Sequence, residues 1–180
     1  MLWLDASDQS TLYQSVDCTT TPVTASAQSV SCWKDKSGSS NNATQSVAAQ
    51  KPLYKSTNPT LNNRPSVTFG TGAVYSMLNT PSVTLGARTY FVVSKINGAQ
   101  IGTIHRLILQ NAAPYYGVFS NLTIANYYIN GWYASATAYS GSQLHTLVHS
   151  ATAFTYRINQ VQVLTSAVGA SSVTASFSIG

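Results

Sequence analysis

From end to end the chain is cut into short β-branched and aromatic runs by Gly, Pro, Asn and Ser, and no long segment repeats its apolar residues at helical spacing. Such punctuation leaves room for short strands joined by turns and for little else. The runs predict strands at Leu2 to Leu4, Ser29 to Trp33, Ser66 to Phe69, Ala73 to Met77, Arg88 to Ile96, Thr103 to Leu109 and Tyr115 to Phe119. They continue at Leu122 to Ile129, Trp132 to Ala136, Gln143 to His149, Ala153 to Ile158, Val161 to Leu164 and Val173 to Ile179. Many short strands at near-regular spacing point to an antiparallel sandwich. The one helical expectation is a single turn between Ser7 and Tyr13, with Ser7 or Asp8 as its N-cap.

Turn chemistry sets the register. Asn130-Gly131, between Tyr127-Tyr128-Ile129 and Trp132-Tyr133, is the strongest hairpin signal, because a type I′ turn needs positive φ at both central residues; Asn97-Gly98 is a second. Asn159-Gln160 reads as a poorer turn, since Gln at positive φ carries a steric penalty.

At 180 residues the chain suits one domain with a proper core, residues 1–180. Only 7% of residues are charged, there is no Glu, and the four Asp residues (Asp5, Asp8, Asp17, Asp35) all precede residue 36. The net charge of +5 comes from scattered single cations with no basic run, which argues against specific nucleic-acid binding. No stretch is long and apolar enough for a membrane span; Met1 leads straight into the first motif, which is expected of a mature or excised domain or of a virion protein that leaves its host by lysis. Cys18 and Cys32 flank a Thr/Ser-rich segment; a disulfide is expected there, with two buried thiols as the alternative.

The residues from Cys32 to Gln45 (CWKDKSGSSNNATQ) form a polar turn anchored by Trp33. Read with its flanks, it carries a wider pattern: Leu2-Trp3-Leu4-Asp5-Ala6-Ser7-Asp8, then Trp33-x-Asp35-Lys36-Ser37-Gly38, Asn41-Asn42-Ala43-Thr44-Gln45, Pro52-x-Tyr54 and Arg64-Pro65-x-Val67-x-Phe69. In that order the pattern resembles the laminin-G-like, concanavalin A-like jelly-roll domains of bacterial surface proteins and phage virions. The first seventy residues carry most of the likeness; His145-x-Leu147 and Ile158-Asn159-Gln160 extend it more loosely. The resemblance implies an all-β, antiparallel jelly-roll sandwich. It also implies a further strand beyond Ile179-Gly180 returning beside the N-terminal strand; either the domain lacks that strand or borrows it from a neighbouring chain, or Val173 to Ile179 already closes the sheet, or the chain is a fragment.

Chemistry narrows what such a domain does. The superfamily's glycoside hydrolysis needs two carboxyl groups facing one bond, and here no late strand bears a carboxylate, so no catalytic activity is expected. No Ser-His-Asp arrangement is legible around His105, His145 and His149. His145 and His149, four apart on a strand, share a face ~13 Å apart, too far for one metal ion. They read as locally bonded sandwich residues. The resemblance allows calcium at the sandwich rim through Asp5, Asp8 and Asp35; no other cofactor is expected. The best binding signal is aromatic: Tyr115, Tyr116, Tyr127, Tyr128, Trp132, Tyr133 and Tyr139 fall close together, with Asn126 and Asn130 beside them. Of each adjacent pair one residue faces the core and one faces out, where it stacks on a sugar ring, meets another subunit or simply makes a stable neutral surface. The expected role is a recognition module at a virion surface or outside a cell, binding host or environmental glycans. The alternative is a structural virion protein, a decoration or tail component, acting through contacts with other virion subunits.

Overall fold

The computed structural model describes residues 1–70, 75–95, 105–110, 116–120, 124–129, 132–138 and 141–180, with backbone pairing alone for the strands between 105 and 138. Two compact units emerge, one formed by Met1–Pro81 with Phe177–Gly180 and the other by Ser82–Ser176. The Asn97-Gly98 and Asn130-Gly131 turns, Tyr115 and Tyr139 lie outside the described residues.

Up to Pro81 the first unit contains six strands, four of them only two residues long. These are β1 (Leu12–Tyr13), β2 (Cys32–Trp33), β3 (Ala43–Thr44), β4 (Leu53–Asn58), β5 (Arg64–Thr68) and β6 (Leu78–Asn79). β1, β2, β3 and β6 lie side by side in that order, all antiparallel, with Leu12 opposite Trp33 and Trp33 opposite Ala43. What holds them is the cluster beneath: Leu12, Val30, Ala43 and Leu78 are fully buried, and Val23, Tyr54 and Trp33 nearly so. Full burial of each Leu or Val contributes roughly 1.5–3 kcal/mol, which offsets the few ladder bonds that two-residue strands make. β4 and β5 form a hairpin over a single 3-10 turn at Pro59–Leu61, which Asn58 caps by accepting from the Thr60 amide at 3.2 Å.

Strand expectations fail here where side chains, rather than ladders, hold the backbone. Leu2 to Leu4 forms no strand; its amide and carbonyl groups bond to a neighbouring loop. The Ser7–Tyr13 turn is a 3-10 turn at Gln9–Thr11. Asp8 stands at its N-cap position but makes no side-chain cap bond; its Oδ1 accepts from Ser10 Oγ instead.

In the second unit the strands are longer: β7 (Val83–Leu85), β8 (Arg88–Ser94), β9 (His105–Gln110), β10 (Tyr116–Ser120), β11 (Ile124–Ile129), β12 (Trp132–Ala138), β13 (Gln143–His149), β14 (Phe154–Ile158), β15 (Val161–Ser166) and β16 (Val173–Ala175). β9 to β12 run as an antiparallel meander, and a second antiparallel sheet has the order β15-β14-β13-β8. The two approach each other at β12 and β15, and β7 pairs with β16. The expected Val173 to Ile179 strand is broken at Ser176: its second half, β17 (Phe177–Ile179), belongs to the first unit and pairs with β6. The fold is all-β, and each strand pairing given above is antiparallel, as a jelly-roll sandwich requires. Among the described residues no helix is long and apolar enough to cross a membrane.

Two loops of the second unit show how local chemistry closes it. Ala170 N donates to Ser150 O at 2.7 Å, and the loops approach so closely that a Cβ on Gly169 would overlap the Ala151 carbonyl. Only Gly fits there. The β14–β15 turn does adopt positive φ at both central residues, 49° at Asn159 and 72° at Gln160. Asn159 offsets its cost through its side chain, whose Oδ1 accepts from Leu144 N at 2.9 Å. Gln160 is exposed and has no such compensation in its own conformation. Gln160→Gly is therefore expected to stabilise the chain by about 1 kcal/mol, read as a raised urea midpoint; an unchanged or lower midpoint would show that the turn is not strained.

Candidate functional site

Three groups of residues carry the chemistry that this fold positions. The first is the polar loop that follows β2. Asp35 gathers the loop onto the N-terminal segment: its Oδ1 accepts from the amides of Trp3 and Ser37, both at 2.9 Å, and its Oδ2 from Ser37 Oγ at 2.8 Å and the Asn41 amide at 3.1 Å. Those bonds hold its carboxyl below the usual carboxylate range against the opposing effect of burial. Lys36 then reaches between the other two carboxylates, 3.0 Å from Asp5 Oδ2 and 2.9 Å from Asp8 Oδ2. Asp5 is held low first by the Ser7 hydroxyl and Asp8 by the Ser10 hydroxyl, each with help from Lys36, and the Lys36 pKa is raised in turn.

This arrangement does not fit a calcium ion. The position between Asp5 and Asp8 is taken by an ammonium group, and Asp35 spends both oxygens on backbone and hydroxyl donors. Calcium needs six to eight oxygens turned toward one point, and among the described residues no cluster of His, Cys, Asp or Glu offers even three such ligands. The same loop carries an aromatic ring: Trp3 is half-exposed and Lys36 Nζ stands 4.8 Å from its centroid. In the sequence Trp3 and Lys36 are visible as pattern residues only. A Lys one residue after the Asp that pins the loop was the available signal.

Cys18 and Cys32 are joined, with Cα atoms 5.4 Å apart. Cys32 lies in β2 at the centre of the first unit, and both residues are buried. A persistent disulfide belongs to an oxidising compartment.

The second group is the β11–β12 hairpin. Its register sets Tyr127 opposite Tyr133, Tyr128 opposite Trp132 and Asn126 opposite Ala134. Residues directly opposite one another occupy the same face of a sheet, so the four aromatic positions sort into two facing pairs. Asn130 lies outside the described residues.

The third group lies on β13 and β14, where His145 is the locally bonded sandwich residue that its strand position predicts. Along β13, Gln143, His145, Leu147 and His149 are buried while the positions between them are not. His145 and His149 therefore share the inward face, as their spacing requires. His145 Nδ1 meets Tyr156 Oη at 2.6 Å, a diagonal pair across the β13–β14 ladder, with the rings stacked at 6.0 Å. Burial lowers the His145 pKa to about 4, and burial followed by the charge of Arg88 lowers that of His149.

No protein-family model matches the chain, and no curated protein matches it in sequence. Among solved structures it is similar to a Bacillus licheniformis beta-glucanase, with a TM-score of 0.44 and 13% identity over 87% of this chain and 75% of that one. The expectation of a chain without catalytic activity is corrected by this finding, because the matched protein is an enzyme. Likeness at this level assigns no activity to the chain.

Proposed function

We propose that this chain is a carbohydrate-recognition β-sandwich that works in an oxidising setting outside a cell, such as a virion surface, and that the β11–β12 hairpin carries its ligand. The observation behind this reading is the hairpin register, which sets Tyr128 opposite Trp132 and Tyr127 opposite Tyr133 on alternate faces. One aromatic pair serves the sheet interior; the other offers a flat apolar platform for a sugar ring, with Asn126 and Asn130 as hydroxyl partners. Low charge suits this role, since stacking and neutral hydrogen bonds need no ion pairs. The disulfide supports the setting.

The test is binding of the purified chain to a glycan array and to bacterial envelope polymers, repeated for single Ala variants at Tyr127, Tyr128, Trp132 and Tyr133. Variants of one facing pair are expected to weaken saturable binding about thirtyfold, roughly 2 kcal/mol, at unchanged thermal stability. Variants of the other pair lower stability instead. Absence of binding across the array would overturn the reading.

A structural subunit is the second reading, favoured by one observation: Phe91 and Val93, on the terminal strand of the β15-β14-β13-β8 sheet, are 72% and 71% exposed. Large apolar side chains on a terminal strand suit contact with a neighbouring subunit. Self-association lost in Phe91→Ser, with no glycan binding, would favour it.

A further inference from the structure

We propose that Trp3 is a second carbohydrate platform, in the first unit, which stacks on a neutral hexose ring while Asp5, Asp8 and Lys36 bond its hydroxyls. The inference rests on the carbohydrate reading above but concerns different residues. A half-exposed Trp is unremarkable alone; what distinguishes Trp3 is that its main chain is fixed on both sides. Its amide donates to Asp35 Oδ1 at 2.9 Å and its carbonyl accepts from the Lys36 amide at 2.8 Å. Two residues earlier, the Met1 carbonyl accepts from Ser37 Oγ at 2.9 Å and Asn41 Nδ2 at 3.1 Å. The exposed ring is thus not the consequence of a frayed segment. A platform held in place before binding loses little freedom when a ligand arrives.

The groups around the ring fit hydroxyls. Lys36 Nζ lies over one face of the ring, 4.8 Å from its centroid, and within 3.0 Å of both carboxylates, so the sugar stacks on the other face and meets this donor and these two acceptors past the ring's edge. A sugar ring presents the same combination, C–H groups on its face and hydroxyls at its edge. The local charge selects among sugars. Two carboxylates and one ammonium leave a net negative rim on a chain whose overall charge is +5. Uronate or sulfated sugars are repelled there and neutral hexoses are not.

Tryptophan quenching isolates this site. The chain has three Trp; Trp33 is in the core at 8% exposure against 52% for Trp3. In a Trp132→Phe variant, acrylamide quenching of exposed tryptophan therefore reports Trp3. Neutral gluco-, manno- and galacto-oligosaccharides are titrated against it, with oligouronates and sulfated oligosaccharides in parallel. The expected result is saturable loss of quenching with at least one neutral series and none with the anionic ones. Adding Trp3→Phe abolishes the response. Quenching unaffected by every neutral series, or protection by the anionic ones as strong as by the neutral ones, overturns the proposal. If the intact chain binds the array while Trp3 stays unprotected, this inference fails and the hairpin reading stands; if neither responds, both fail.

Discussion

Replacing Cys18 and Cys32 together by Ala, or reducing the bridge in the folded chain, is expected to lower the unfolding free energy by about 3 kcal/mol, the loop-closure value for a ring of about 15 residues. The bridge spans 14 positions. Its closed loop is not idle: Val23 and Val30 lie within it and both belong to the buried cluster of the first unit. One end is anchored in β2, between β1 and β3, so opening the ring frees a segment that supplies core residues beneath this end of the sheet. Because each of these strands is two residues long, ladder bonds cannot compensate. The measurement is a urea unfolding midpoint with and without a thiol reductant, alongside the double variant. Equal midpoints would show that the loop is held by packing alone. The predicted loss also ties stability to compartment, since a reducing environment would leave the chain short of this contribution.

Legibility in the sequence followed the strength of local patterning. Gln143 to His149 was readable to the residue because its inward positions alternate with outward ones over seven residues. The Asn159-Gln160 turn was legible too, since few residues at that place accept positive φ. β1, β3 and the β4–β5 hairpin's first strand were not anticipated. Two-residue strands have no period to detect, and Leu53–Asn58 buries only Tyr54 and Asn58, which hides its alternation. Leu2 to Leu4 failed in the opposite sense: it has strand-like composition, yet Asp35 and Lys36, more than thirty residues on, satisfy the Trp3 amide and carbonyl. Tertiary bonds of that kind leave no trace in a local window.

The candidate sites were legible as residue types and not as arrangements. Asp5, Asp8 and Asp35 were visible as carboxylates near one motif, but their partner was the neighbouring Lys36, and one ammonium turns a possible cation site into an ion-paired loop. The aromatic run was visible as composition; only the register sorts Tyr127 with Tyr133 and Tyr128 with Trp132. His145 was legible as a locally bonded sandwich residue, but its particular partner, Tyr156, depends on a diagonal relation between two strands.

That buried pair gives the sharpest pH dependence expected among the described residues. His145 is 1% exposed and burial lowers its pKa from an ordinary 6.5 to about 4. The unfolded chain therefore binds a proton on this residue at a pH where the folded chain does not. Stability is complete above pH 6.5 and falls as the pH drops toward 4, by about 3 kcal/mol in all. His149, also buried and lowered first by burial and then by Arg88, acts in the same direction. The four Asp carboxyls are likewise held below their ordinary value. Their stabilising effect is intact above pH 3.8 and is lost only below it, so the two windows adjoin rather than overlap. Urea midpoints measured at pH 7.5, 6, 5 and 4 should fall steadily for the wild-type chain. In His145→Gln, which keeps a hydrogen-bonding side chain beside Tyr156 but cannot titrate, most of that slope should vanish, leaving the smaller share due to His149. A wild-type midpoint that stays level from pH 7.5 to 4.5 would mean that His145 gains its proton without disturbing the β13–β14 face. In that case the Tyr156 hydroxyl must stabilise the imidazolium by accepting from Nδ1–H, reversing the electrostatic balance argued for the pair.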